Sequence, residues 1–440
     1  MYQVGFGDCF LLSFEYDTAL ADGRSERHVL IDFGSRRAPK GLGTGLRARV
    51  AQLIEQHTQG RLDVIVATHR HKDHIDGFGD AHATEILERL QPGFVVRPWM
   101  DDPQLPPEAS GPALRSGTHR FAASLGEGQT FAATVAELAG AADVRSVRGQ
   151  VGRLALDQLP NQDAVDWLTD RTKTEGGVYV RAGDASRIEE FVPGITVRVL
   201  GPPTVDQEPK LVHERANDPE FWLALHRQLE QPAPAGIPSG ADEHVRAGAP
   251  SAGGRLLTAG QAVPVAEAGP GPVGWLVDRL DRQQLGSLMR IVRTLDDALN
   301  NTSVILLIDA GDKRLLFPGD AQIENWLWAL KDSPEQAELT GLLADVDLYK
   351  VGHHGSRNAT PRSLFNLWGE NPDPARPMTA LMSTLSHVFG ESEATFVPRA
   401  TLVAALGRRT NLLTTDGLAA AQPFVEVVAS TSDNQPFAVV

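Results

Sequence analysis

Cysteine is the first scarcity: a single one, Cys9, in 440 residues excludes an intrachain disulfide framework and a thiolate metal site. Cys9 sits in the apolar stretch "DCFLLSF", where a buried, inert thiol is expected. Long apolar runs are also missing, so no membrane span is expected and no membrane partner with it. The opening stretch, "MYQVGFGDCFLLSFEYD", has neither a basic leader nor a small-residue cleavage site, and a cytoplasmic location is the resulting expectation. Cations are outnumbered, with 41 Lys and Arg against 56 Asp and Glu, a formal charge of −15 and a pI near 5.3. That balance excludes a broad cationic face tracking nucleic acid, so any such contact has to be local. No internal repeat of fixed period is present.

What the chain does contain is alternation of strand and helix patterns. "QVGFGDCFLLSFEY" and "RHVLIDFG" read as strands, residues 41–58 as a helix, "RLDVIVATH" as a strand covered on both faces, residues 81–90 as a helix and "GFVVRPWM" as a strand. Helices are expected over about 119–141 and 160–172, followed by strands in "GGVYVRAGDA" and "GITVRVLGPP". Residues 203–299 include a Pro/Ala/Gly-rich stretch and read as an insertion with a flexible segment, a candidate docking element for a protein partner. "TSVILLIDAGDKRLLFPGDA" then reads as a hairpin, "ADVDLYKVGHHGS" as a strand delivering histidines, and "PMTALMSTLSH" to "TTDG" as a last strand, helix and strand. The expected class is α/β, with residues 1–202 and 300–440 forming one domain around the insertion.

Thirteen histidines serve the whole chain, yet three of them, His69, His71 and His74, crowd "VIVATHRHKDHIDGF" together with Asp73 and Asp76. In an extended segment His69 and His71 project to one side, and Asp73 and His74 follow once the strand has turned. Imidazole and carboxylate donors without thiolates suit Zn²⁺, tolerate Mn²⁺ or Fe, and point to an open catalytic site rather than a closed structural one.

At this point the sequence resembles the metallo-β-lactamase fold, whose His-x-His-x-Asp-His signature matches "THRHKDHIDG". "VLIDFGS" with Asp32, "LLFPGDA" with Asp320 and "YKVGHHGS" with His353 and His354 match in the same order. The chain looks most similar to the metallo-β-lactamase-like domain of ComEC competence proteins, through "VGFGDCFLL", "NNTSVILLI", "KVGHHGS", "MSTLSH" and "TTDG". The resemblance covers roughly residues 1–100 and 300–420 and implies a four-layer αββα sandwich with one or two Zn²⁺ ions, or Mn²⁺. It implies His69 and His71 on a first metal, Asp73 and His74 on a second, and Asp320 as a bridge, with Gly319 letting the chain turn. Of the histidine pair, His353 is expected as the metal ligand and His354 near the substrate, with Asp73, Asp320 and His354 counted as catalytic. Asp32, and Asp8 if it is more than a turn residue, would hold a ligand loop or an imidazole tautomer. Two departures stand out: Asn300 or Asn301 occupies the place of another first-metal histidine, and Val397 precedes Pro398 where the family has histidine. His82, His119, His213, His226 and His244 remain as outside candidates for the missing ligand.

A metal-held hydroxide with a pKa near about 7, and two ions about 3.5–4 Å apart, suit in-line displacement at phosphorus. The resemblance thus implies a metal-dependent hydrolase of phosphodiesters, with nucleic acid or a nucleotide as candidate substrate. Arg70, Lys72, Lys350 and Arg357 are candidate cations for the phosphate, against a plain reading as solvated surface charges; His387 and Ser383 are candidate substrate contacts. Two alternatives stay open. One is a lactone, thioester or amide hydrolase of the same fold; the other is a metal-binding scaffold whose insertion docks a partner.

Overall fold

A computed structural model describes residues 1–105, 161–204, 207–208, 299–369, 377–390, 396–419, 421–432 and 435–440. The chain is a mixed α/β protein with two large sheets. The first has five strands in sequence order: β1 (Cys9–Glu15), β2 (Glu26–Phe33), β3 (Val64–Val66), β4 (Phe94–Pro98) and β5 (Gly177–Val180). β1 and β2 are antiparallel, and every later neighbour is parallel. The second sheet holds β6 (Ile195–Gly201), β7 (Ile305–Ala310), β8 (Lys313–Phe317), β9 (Leu348–Lys350), β10 (Met378–Met382) and β11 (Thr410–Thr414), lined up from β11 back to β6. Its β6–β7–β8 part is antiparallel and its β8–β9–β10–β11 part parallel. A short antiparallel pair, β12 (Val427–Val428) and β13 (Ala438–Val439), lies near the end of the chain.

Helices α1 (Leu46–His57), α2 (Lys72–Ile75), α3 (Ala81–Arg89) and α4 (Gln162–Thr174) belong to the first half. The second half carries α5 (Ile323–Leu327), α6 (Gln336–Ala344), α7 (Arg362–Leu367) and α8 (Ala400–Arg409). Asp80 caps α3 by accepting from the backbone N–H groups of His82 and Ala83, and Asn161 caps α4 through Ala164 N–H, which satisfies donors that the first turn leaves unpaired.

The two-residue period of a strand decides which layer each side chain joins. Val29, Ile31, Val64, Val66, Phe94 and Val96 meet Val197, Val199, Leu306, Ile308, Leu315 and Phe317 in one cluster between the sheets. The alternate residues Leu30, Ile65 and Val95 pack with Val50, Ile54, Ile86, Leu87 and Leu168 of α1, α3 and α4. On the far side Leu307, Leu316, Tyr349 and Ala380 pack with Trp326, Leu339, Leu343, Phe365 and Leu402 of α5 to α8. The layers therefore run helices, sheet, sheet, helices, and the nearly unbroken apolar runs of β3 and β4 follow from burial on both faces.

The expected strands fall where β1 to β11 stand, and the helix expected over 160–172 is α4. α2 was not expected; a helix this short leaves too little periodicity to read. The helix expected over 119–141, and nearly all of the insertion with its partner-docking role, lie outside the described residues. β6 and β7 flank that insertion and pair with each other, Gly201 opposite Ile305, so the chain leaves and re-enters one sheet at adjacent positions.

Candidate metal centre

Parallel strands deliver their loops to one edge, and here β2, β3, β8, β9 and β10 bring their carboxyl ends together. β2 supplies Asp32, the segment after β3 supplies His69 and His71, α2 supplies Asp73 and His74, the corner after β8 supplies Asp320, and the turn after β9 supplies His353 and His354. Close approach of these loops depends on two glycines. A Cβ on Gly34 would stand 2.3 Å from the backbone of Asp73 and His74. One on Gly319, whose φ is +56°, would press on Thr68 and Ser303 at 2.9 Å.

His74 is at the centre. Its Nδ1 is 2.7 Å from Asp32 Oδ2, and Asp32 also accepts from Thr68 N–H and Thr68 Oγ1, each at 2.7 Å. Asp32 holds a left-handed φ of 56°, a conformation costing about 1–3 kcal/mol for a residue with a side chain, and these three bonds fix it there. With Nδ1 so occupied, His74 Nε2 points away from Asp32. It lies 3.0 Å from Asp320 Oδ2 but off the axis a hydrogen bond needs. His354 repeats the arrangement: Nδ1 faces the Ser383 carbonyl at 3.0 Å, and Nε2 lies 3.2 Å from Asp73 Oδ2 and 3.6 Å from Asp320 Oδ2. Because a carbonyl only accepts, the proton of a neutral His354 sits on Nδ1 and its Nε2 lone pair is free.

Three buried triads with donor atoms within 4.8 Å of one another result among the described residues: His69, His74 and Asp320; Asp73, His74 and His354; and Asp8, Asp32 and His74. Around a tetrahedral zinc with bonds of about 2.0–2.1 Å, neighbouring donors stand about 3.3 Å apart. The separations of 3.0, 3.2 and 3.6 Å among His74, Asp320, His354 and Asp73 fit that spacing. His74 Nε2, His354 Nε2 and Asp73 Oδ1 are also buried without a hydrogen bond, an expense that a coordinated cation removes. The residues present therefore fit a divalent cation.

Charge gives the same answer. Asp8, Asp32, Asp73 and Asp320 are each at most 3% exposed, and Lys350 is the buried ammonium among them. Lys350 Nζ pairs with Asp8 and is 3.2 Å from Asp320 Oδ1 and 2.8 Å from the Gly319 carbonyl. Burial opposes charge on every one of these groups; it wins at Asp32, whose carboxyl it pushes up, while neighbours override it at Asp8, Asp73, Asp320 and Lys350. Asp320 and Asp32 hold the His74 imidazole well above the usual histidine range, and Asp320 and Asp8 raise His354 to about 10. Burial also works against the Asp320 carboxylate, but His74, Lys350 and His354 hold it well below the usual range. Burial and the nearby His74 and His71 push His69 well below the usual histidine range, so that imidazole stays neutral.

His69 Nε2 is 3.1 Å from His71 Nδ1, and the rings stand 4.9 Å apart, so the sequence's first pair does converge. His353 does not join them. Its Nδ1 faces Asn358 Oδ1 at 2.9 Å and its Nε2 is 3.5 Å from Asn300 Nδ2; only its backbone N–H reaches Asp320, at 2.8 Å. The expected order of the histidine pair is thus exchanged, since consecutive left-handed φ values of 42° and 50° turn His354 inward and His353 toward the rim. Asn300 and Asn301 are fully buried where the missing histidine would stand. His82 is exposed on α3, and the other four outside candidates lie beyond the described residues.

The candidate phosphate cations are mostly engaged. Lys350 is buried in the cluster rather than free, and Arg70 is tied to Asp101. Lys72 lines a polar cleft of about 500 Å³ with Arg36, Arg47 and Asp76, and burial and Arg399 depress Arg357. Ser383 is buried, its hydroxyl donating to the Gly7 carbonyl at 2.5 Å, whereas His387 is exposed. Asp8, which the sequence leaves open between a turn residue and a support for a ligand loop or imidazole, is buried against Lys350, with His74 and His354 close by. No family model matches the chain, and no curated protein matches it either.

Proposed function

We propose that the chain is a metal-dependent hydrolase of phosphodiester bonds, a phosphodiesterase or nuclease, on a metallo-β-lactamase-like αββα sandwich. The observation that carries this reading is the convergence of His74 Nε2, His354 Nε2, Asp73 and Asp320 as buried donors at tetrahedral spacing, two of them imidazole nitrogens without a hydrogen bond. These four would hold the ion, with His69 and His71 beside them toward a second. A bound divalent cation would supply Lewis acidity at a phosphoryl oxygen and a water acidic enough to react near neutral pH.

The chain's own residues do the rest. Asp32 fixes the His74 ring and the Ser383 carbonyl the His354 ring, so both aim Nε2 at the same place without rotating, and a bound cation would replace the proton there. Lys350 offsets Asp8 and Asp320, which lets a carboxylate-rich pocket stay buried before anything binds. Asp320, touching both imidazoles, orders the two halves of the site around one position. His353 at the rim, held by Asn358, faces the side from which substrate arrives.

Elemental analysis of purified protein, with hydrolysis of bis-p-nitrophenyl phosphate and single-stranded DNA under added Zn²⁺ or Mn²⁺, tests the reading. Bound metal and turnover on at least one substrate are expected. Metal bound with no turnover on any phosphodiester rejects it. The overall charge of −15 favours the second reading, an acyl hydrolase acting on neutral lactones, thioesters or amides, and a panel of such esters separates the two.

A further inference from the structure

In a chain short of cations, residues 35–40, "SRRAPK", carry three, Arg36, Arg37 and Lys40, just after β2, which ends on Phe33. This segment is pinned to the loop before β1. Phe6 N–H donates to the Arg37 carbonyl at 2.9 Å, Arg36 N–H to the Phe6 carbonyl at 2.7 Å, and Ser35 Oγ to the Val4 carbonyl at 2.6 Å. A Cβ on Gly5, whose φ is +81°, would stand 2.0 Å from the Arg37 carbonyl, so the pinning needs glycine there. The Phe6 ring packs on His354 at 4.4 Å and on Phe389 at 4.6 Å. The segment therefore lies beside the metal ligands, with Phe6 packed on His354 and Arg36 Nη1 3.8 Å from Asp73 Oδ2.

Arg37 and Lys40 of this segment line a cleft of about 460 Å³ together with Ser386 and His387. Its far wall is fixed, because Asp416 accepts from Ser386 N–H at 2.9 Å and from Ser386 Oγ at 2.6 Å. His387 is exposed and holds a left-handed φ of 62°, the kind of local strain that persists where surrounding structure enforces it. Among the described residues no carboxylate pairs with Arg37 or Lys40, whereas Arg24, Arg47, Arg70 and Arg97 each have one. Two unpaired cations and an imidazole on a preformed wall are a recognition site for a compact anion.

We infer that this cleft binds a second, non-scissile phosphate of the substrate, so that the chain prefers phosphodiesters carrying an additional phosphomonoester. The inference rests on the hydrolase reading and narrows its substrate class. The probes are the p-nitrophenyl esters of thymidine 5′-phosphate with and without a 3′-phosphate, assayed on the metal-loaded full chain. The doubly phosphorylated ester is expected to show a kcat/KM roughly tenfold higher, equivalent to about 1.4 kcal/mol. Arg37→Ala with Lys40→Ala removes that preference and leaves turnover of the plain ester unchanged. Calorimetric binding of thymidine 3′,5′-bisphosphate against thymidine 5′-monophosphate gives a readout independent of turnover, and the same ratio is expected. Equal affinities, or a preference that survives both substitutions, overturn the subsite. Tighter binding of the bisphosphate with no turnover of either ester sinks the hydrolase reading and leaves the anion site standing.

Discussion

Beyond β4, Asp101 is buried between Arg70 and Arg97; at the tips of β2, β8 and β9, four carboxylates are buried around one lysine and two imidazoles. Both clusters take charge out of water at the end of a strand, but only one is complete. Asp101 Oδ1 accepts from Arg70 and Oδ2 from Arg97 Nε and Nη2 at 3.1 and 2.8 Å, while Arg97 Nη1 donates to Thr169 Oγ1 at 2.9 Å. In the other cluster His74 Nε2, His354 Nε2 and Asp73 Oδ1 make no hydrogen bond, and carboxylates outnumber the ammonium. Buried charge by itself marks neither function nor its absence. A convergent set left unsatisfied by the protein is the sign of a ligand.

Substitution separates the two most sharply. Asp101→Asn leaves the fully buried Arg97 guanidinium without its counter-charge, and a loss of about 3–5 kcal/mol in unfolding free energy is expected, with metal content unchanged. Asp320→Asn should differ in its metal content. It removes a carboxylate that His74, Lys350 and His354 hold well below the usual range, so the metal-free chain also loses stability, while metal affinity and turnover fall by at least roughly a hundredfold. Urea unfolding beside elemental analysis of both variants makes the check. Metal loss in Asp101→Asn with a stable fold, or full metal retention in Asp320→Asn, would erase the distinction.

The next contrast lies within the centre. His354→Ala removes a buried donor 3.2 Å from Asp73 and 3.6 Å from Asp320, so loss of bound metal together with activity is expected. His353→Ala removes a rim imidazole bonded to Asn358, so metal content is retained and any change is confined to kinetics, about tenfold or less in kcat/KM. Metal analysis of the two proteins decides it, and an exchange of phenotypes would restore His353 as the ligand.

That pair also shows where reading the sequence stops. β3 and its tip were legible because a β-branched run has one period and a short, histidine-rich loop must follow the strand end. The β7–β8 hairpin was legible from "AGDK", which the register places between Ala310 and Lys313. Which histidine of "HHG" turns inward was not, since strand alternation gives no rule once φ is positive at both residues. Lys350 was read as a candidate for the phosphate or a solvated charge because a lysine next to a strand tip usually reaches water. Only the positions of Asp8 and Asp320, hundreds of residues apart in sequence, reveal that it is a buried counter-ion. Phe6 escaped, and Asp8 stayed open between a turn residue and a supporting one, for the same reason, as their partners come from β9 and its turn.

The smallest effect tests how far the environment alone sets a buried histidine. His28, on β2, is 1% exposed and lies outside both clusters, with Ser13 Oγ at 3.0 Å from its Nδ1 and Glu26 at 3.4 Å from its Nε2. Here burial wins over Asp63 and Glu26, and the folded pKa falls below the ordinary 6.5, the opposite of His74, where adjoining carboxylates win over burial. A folded value below the unfolded one means that the unfolded chain binds the proton more readily. The contribution of His28 to stability is therefore fully present above 6.5 and is lost as pH falls below it through the folded pKa. Urea unfolding of the wild type and His28→Gln across about pH 5 to 8 isolates this term, because titration of the metal centre is common to both and cancels in the difference. The wild type should lose stability on acidification faster than the variant. Parallel curves would mean that His28 gains from its carboxylate neighbours what it loses to burial, and the contrast with His74 would then be one of degree.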